Sequence, residues 1–474
     1  MRRTLMFSAA VAAMLAAPAL AQTAPAPMTP DQAAFRALYK ELVETNTTLS
    51  AGSCTLAAER MAARLKAAGM RDDQLRLFAD PAFPKEGGLV ATYPGTSKSL
   101  KPMLLLAHVD VVEAKREDWV RDPFTLIEED GYLYARGTVD DKAQAAIFTD
   151  TLIRFAQAGY RPRRTIKLAL TCGEETSGAF NGADWLVKNH RDWIDAEFAL
   201  NEGGGGRTDG KGVSEGGKLV TQTMQIGEKA YQDYTLTVTN PGGHSSRPLP
   251  DNAVYQLSQA LLKVGSYRFP LQFNDVTRDY FRTVGAARGD ATGKAMVALV
   301  ANPADSAAEA VANTDPMLHS MLRTTCVATM VNAGHALNAL PQRATANVNC
   351  RMFPGRTADE TQAALAQVIA DPVVKIEQRV KDKPIAVVPP LDEKIMGPAR
   401  KLAAKWFPGV PVVPFMSTGA TDAVYLTGIP VYGVPGPWSN PDGNGIHGLN
   451  ERIEIRALMT GRDYLHDLVK TLAQ

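Results

Sequence analysis

A histidine and an aspartate two residues apart, His108 and Asp110, close the apolar run Leu104-Leu105-Leu106-Ala107. Such a run reads as a buried strand, and open α/β sheets build their sites at the carboxyl ends of strands of this kind. In extended chain, residues i and i+2 point to the same side. Asp110 is therefore placed to accept a hydrogen bond from one ring nitrogen of His108 while the other nitrogen faces a metal. Three more strand ends carry polar clusters. Arg136-Gly137-Thr138-Val139-Asp140-Asp141-Lys142 follows Tyr134, Cys172-Gly173-Glu174-Glu175 follows Leu170, and Asn201-Glu202-Gly203-Gly204 follows Leu200. Near the end stands Gly445-Ile446-His447-Gly448-Leu449-Asn450-Glu451. Carboxylates gathered at successive strand ends repel one another unless cations neutralise them. Imidazole and carboxylate donors suit zinc, and an open coordination position makes a zinc site catalytic. Two metals ~3.5–4 Å apart, sharing a carboxylate and a water, recur in hydrolysis.

The elements that must hold these groups fall into two textures. From Asp31 to Ala68 apolar residues recur at helical steps, and apolar strands at 88–93, 103–112, 132–136, 165–171 and 197–200 alternate with helices at 142–158 and 182–189. That alternation predicts an α/β domain with a mixed sheet between helices. Residues 203–217 are glycine-rich and read as a loop or loose hairpin. Tyr231 to Thr239 then alternates in period two, the mark of a half-exposed antiparallel strand. With helices near 252–264 and 358–370 and strands near 328–332, 344–351 and 374–379, it predicts an inserted α+β domain over 228–386. The first texture returns over 387–474, so the catalytic domain is read as 22–227 plus 387–474.

The chain has 474 residues, enough for two or three domains. With 51 basic and 50 acidic residues, the balance points to neither nucleic acid nor an anionic membrane surface. Residues 1–21 (Arg2-Arg3, an Ala-rich apolar run, then Ala19-Leu20-Ala21) read as a secretory signal peptide cleaved near Ala21. The apolar run is shorter than the ~20 residues of a span. The expected mature protein is exported, in a bacterium to the periplasm, with no stable membrane association. That compartment permits disulfides. Cys54, Cys172, Cys326 and Cys350 lack metal-ligand spacing; Cys326 and Cys350 pair only if their strands are neighbours, and buried free thiols are the other reading.

Taken in order, these motifs resemble those of the co-catalytic zinc exopeptidase and amidohydrolase family of acetylornithine deacetylase, succinyl-diaminopimelate desuccinylase, aminoacylase and glutamate carboxypeptidase. The resemblance covers essentially the whole mature chain. It implies a zinc-exopeptidase-like catalytic domain, an inserted lid or dimerisation domain, and two zinc ions per subunit, with cobalt or manganese as substitutes. His108 and Glu202 would bind one zinc, Glu175 and His447 the other, and Asp140 would bridge them. Asp110 would orient His108, and Glu174 would act as general base on a metal-activated water. His244, in Gly242-Gly243-His244-Ser245-Ser246, would help polarise the scissile carbonyl, commonly in the partner subunit's site. Asn338 and Arg351 would contact the substrate's carboxylate end, and Gly419 and Thr421 would line the pocket. Asp422 matches the same pocket-lining loop, with a helix cap as its other reading; Asp141 and Lys142 read as turn and helix-start residues, and Glu451 as a support for His447. Ala143 departs from the family's usual glycine, a matter of helix packing.

The expected reaction is hydrolysis of an amide in a small peptide or N-acyl amino acid with a free carboxylate. Glu202, rather than Asp, leans toward the carboxypeptidase and aminoacylase branches. One rival is an aminopeptidase or dipeptidase of the same family, which needs a pocket for a free amine. The other is a non-catalytic binding or scaffold protein, which has no need of a base. A homodimer through the inserted domain is expected.

Overall fold

Six consecutive buried residues form the strand Met103–His108, flanked in parallel by Ile166–Thr171 and Phe198–Asn201. With side chains buried on both faces, these strands need cover on both sides, and the chain supplies it. In this computed structural model, which describes residues 28–176, 180–381 and 383–474, they sit centrally in a mixed ten-stranded sheet. The expected leader lies outside the described residues. Helices Pro30–Glu44, Cys54–Ala67, Lys142–Gln157 and Ile455–Leu472 supply one face's core, through Phe35, Met61, Phe148 and Leu465 among others. The opposite face is covered by Gly182–Asn189, Arg191–Ile194 and the turn region around Leu426 and Ile429. The sheet continues through Val431–Gly433, parallel to Phe198–Asn201, into the antiparallel strand Leu219–Glu228. The glycine-rich region resolves into a hairpin, Gly205–Thr208 pairing antiparallel with Leu219–Glu228.

A second, antiparallel sheet runs in the order Thr325–Ala333, Arg343–Met352, Ala230–Thr239, Lys375–Gln378. Ala230–Thr239 alternates buried and half-buried residues, as its period-two pattern requires. Tyr234, Leu236 and Val238 pack with Leu257 and Leu365 from the helices Ala253–Ser266 and Ala358–Ile369. The opposite face carries Tyr231, Asp233 and Thr235 beside Arg351, Asn349 and Asn347. Four helices between Asp275 and Met321 do not join this core. They form their own cluster around Phe281, Met296 and Leu299, seated on Val413 of the strand Val412–Ser417, which pairs with Leu219–Glu228 in the large sheet. Both cysteine pairs are disulfides: Cys54–Cys172, and Cys326–Cys350, which face each other on adjacent strands.

Candidate metal centre

The strand ends deliver their polar groups to one place. His108 Nδ1 lies 3.1 Å from the main-chain oxygen of Asp110 and 3.5 Å from its carboxylate. Facing acceptors, Nδ1 carries a ring proton, which turns Nε2 toward the cluster. Nε2 lies 3.1 Å from Asp140 Oδ1 and 3.9 Å from Glu202 Oε1. The other oxygen, Asp140 Oδ2, lies 3.1 Å from His447 Nε2, which is also 2.8 Å from Glu175 Oε1. Thus His108, Asp140 and Glu202 converge as one potential ligand set, and Asp140, Glu175 and His447 as a second. Asp140 belongs to both. Glu174 converges with His108 and Glu175, and Asp110 holds this turn by accepting the main-chain N–H groups of Glu174 and Glu175 at 3.4 and 3.0 Å.

Electrostatics describe the same crowding. Burial drives the Glu202 carboxyl well above its usual range, with Asp141, Asp140 and Glu174 adding to it against His108. Burial likewise pushes Glu174 up to about 9, reinforced by Asp422, Glu175 and Asp140. Burial would raise Asp140 too, but hydrogen bonds from His108 and His447 hold it far below the carboxylate range. Hydrogen bonds to Asp140 and Glu175 lift His447 to about 10. Protons are thus held wherever lone pairs from imidazole and carboxylate meet, which is where divalent cations would replace them. The donor set of nitrogen and oxygen atoms fits such ions.

A family model described as peptidase family M20/M25/M40 matches residues 104–471. The chain belongs to this family. As an M20 protein it is a metallopeptidase or amidohydrolase, and the family implies metal ions for the two ligand sets. The human N-fatty-acyl-amino acid synthase/hydrolase PM20D1 is 29% identical over 392 residues, covering 80% of this chain and 76% of the relative. A probable carboxypeptidase S-like 2 of Dictyostelium discoideum is 30% identical over 391 residues, covering 81% and 74%. Mouse aminoacylase-1 is 32% identical over a shorter stretch, 38% of this chain and 41% of its own. Among solved structures, the M20 metallo-carboxypeptidase Sso-CP2 of Sulfolobus solfataricus superposes with a TM-score of 0.71 at 17% identity, over 94% of this chain and all of its own.

The other residues singled out in the sequence make the following contacts. Asp141 caps the helix Lys142–Gln157 by position, and Lys142 donates to the main-chain oxygen of Thr45 at 2.7 Å. Thr421 donates to Glu228 Oε2 at 2.8 Å and accepts from Asn201 at 3.0 Å, while the Gly419 N–H meets Ser417 Oγ at 3.0 Å. Arg351 lies over the ring of Tyr231, its guanidinium carbon 5.0 Å from the centroid. Exposed His244 hydrogen-bonds Ser246, and the Asn338 carbonyl accepts from the Ser245 N–H at 3.0 Å. Among the described residues neither side chain bonds to the cluster within one chain.

Two expectations need correction. Glu451 does not support His447. It is buried and accepts from Arg136 Nη1 and from the main-chain N–H groups of Gly137, Val139 and Asp140, at 2.8 to 3.2 Å. Its carboxylate therefore shapes the loop that presents Asp140. The 3₁₀ turn Asp422–Tyr425 is capped by Thr421, not Asp422, which is buried and accepts from Thr171 Oγ1 at 2.8 Å and Asn181 Nδ2 at 2.6 Å.

Proposed function

We propose that the chain is a dizinc amidohydrolase that cleaves the amide bond of a small peptide or N-acyl amino acid bearing a free carboxylate. One observation carries the reading: each carboxylate oxygen of Asp140 faces a different histidine, with Glu174 beside them. His108, Asp140 and Glu202 would hold one zinc, and Asp140, Glu175 and His447 the other, with cobalt or manganese as substitutes. Such ions supply Lewis acidity that lowers the pKa of water and polarises a carbonyl. Glu174 takes the proton of the attacking water and returns it to the departing nitrogen. Asp110 orients His108 and steadies the Glu174 turn. His244, contributed by a second copy of the chain, donates to the carbonyl oxygen as it gains charge. Arg351 receives the substrate carboxylate, with Asn338 nearby and Gly419 and Thr421 lining the pocket. The names of the human and mouse relatives and of the Dictyostelium carboxypeptidase support this substrate class. Two disulfides support an exported protein, and among the described residues no helix is long and apolar enough to cross a membrane.

Glu174→Gln tests the assignment. Turnover should fall by about 10²- to 10⁴-fold, the usual worth of a general base, while metal analysis still finds two ions per chain. Unchanged turnover removes Glu174 from the reaction. On the wild-type protein, N-acetyl amino acids and N-blocked peptides should be cleaved; turnover confined to free-amine dipeptides would replace this reading with a dipeptidase.

A further inference from the structure

A cavity of about 270 Å³ opens beside Glu202 and is bounded by two segments that the reaction does not use. One is the strap 385–390, which contributes Ile385, Val387 and Val388; the other, 423–431, contributes Val424, Leu426 and Ile429. Three of its polar lining side chains are already engaged. Glu228 accepts from the Thr421 N–H and hydroxyl and from Gln225, and Asn201 donates to Thr421. Burial pushes the Glu228 carboxyl up to about 8, which favours its neutral form. The strap lies close on the sheet: a Cβ added to Gly227 would come 3.1 Å from Val388 Cγ2.

Strand pairing gives the cavity a direction. Ala199 lies opposite Val431 and Asn201 opposite Gly433 in parallel register. Lining residues occur at both levels, from Ile429, Pro430 and Val431 at the start of the strands to Glu202 at their carboxyl end. Three strand residues span roughly 10 Å. We infer that this channel receives an unbranched acyl tail of about eight carbons, each methylene occupying about the volume of a water, so that medium-chain N-acyl amino acids are preferred over N-acetyl ones. The inference rests on the amidohydrolase reading of the metal centre. A tail laid there finds mostly apolar walls, with Asn201, Gln225 and Glu228 already hydrogen-bonded, and its carbonyl end lies toward Glu202, where the amide must sit.

The test is a chain-length series on the metal-loaded protein, from acetyl to dodecanoyl on one amino acid. kcat/KM should rise about threefold to fourfold per methylene, the factor that burying one confers, and level off near octanoyl. Val424→Trp and Val388→Trp enlarge half-buried residues; each should lower the octanoyl-to-acetyl ratio of kcat/KM at least tenfold. Should both fail to fold, octan-1-ol as inhibitor serves instead, expected to compete with octanoyl substrate far better than butan-1-ol. Turnover with a flat or falling series, an unchanged ratio in a folded variant, or equal inhibition by the two alcohols overturns the channel alone. Absence of turnover at every chain length overturns the amidohydrolase reading, and the channel with it.

Discussion

His466 sets its ring 5.0 Å from that of Phe155, and among the described residues its Nδ1 has no hydrogen-bond partner, Asp467 Oδ1 standing 3.6 Å away. Burial lowers its pKa to about 4, with Arg154 and Lys470 adding to the effect and Asp467 opposing it. An unfolded histidine titrates near 6.5. The folded state thus favours the neutral ring, so its stability is full above pH ~6.5 and drains away as pH falls toward 4. Replacing His466 with Phe keeps the ring contact and removes the titration. The variant should gain about 1 kcal/mol over wild type at pH 5, a figure discounted for partial exposure, and the gain should shrink at pH 8. Urea unfolding at the two pH values checks it; an equal difference at both would show that His466 does not titrate on unfolding. Single residues also mark how far sequence reading reaches. His108, Asp140, Glu174, Glu175, Glu202 and His447 were legible because each closes a strand or sits in a short motif. The partner of Glu451 was not, because the groups it holds, Arg136 to Asp140, lie over 300 residues away in sequence. A motif places its neighbours in the chain but says little of what touches them across the fold.

At the level of elements, the disulfide Cys54–Cys172 ties the first residue of the helix Cys54–Ala67 to the turn after the strand Ile166–Thr171, two residues before Glu174. It closes 118 residues of chain, whereas Cys326–Cys350 closes 24 within a strand pair. Loop-closure entropy grows with the logarithm of loop length, so removing the longer link costs roughly 1.4 kcal/mol more. Paired alanine variants, Cys54→Ala with Cys172→Ala against Cys326→Ala with Cys350→Ala, should differ in that direction in denaturant unfolding. Equal losses would mean that local strain or residual unfolded-state structure outweighs closure. The same scale shows why the packing of some elements escaped sequence reading. Tyr231 to Thr239 carries an alternation that any antiparallel sheet would impose. Val412–Ser417 and the helices from Asp275 to Met321 carry apolar residues too, but nothing local says that Val413 covers Phe281 and Met296 rather than the small sheet. Gly205–Thr208 opens with two glycines and so has too few side chains to reveal a pattern; its pairing with Leu219–Glu228 rests mainly on the backbone.

Across the whole molecule, the small sheet has two unlike edges. Lys375–Gln378 is four residues long and charged, with Lys375 and Glu377 exposed, as edges that avoid pairing usually are. Thr325–Ala333 is nine residues long, has no lysine or proline, and exposes Val327, Met330 and Val331 at 57, 66 and 62%. A long apolar edge of this kind invites a strand from another chain. A second copy pairing there about a two-fold axis is the occupant this reading expects, and it would supply the His244 that one chain leaves away from its own cluster. Light scattering should find a dimer, and Met330→Lys with Val331→Lys should give a folded monomer. Complementation takes the argument further. Glu174→Gln and His244→Ala homodimers should each be nearly inactive. After the two are mixed and subunits exchange, half the dimers carry both variants, and one site in each pairs an intact Glu174 with an intact His244 from across the interface. Activity should then return to roughly a quarter of wild type, as two-fold symmetry dictates. If His244 serves its own chain's site, every site keeps a lesion and no activity returns. A wild-type monomer would remove the dimer itself, and with it the proposed route by which His244 reaches the carbonyl.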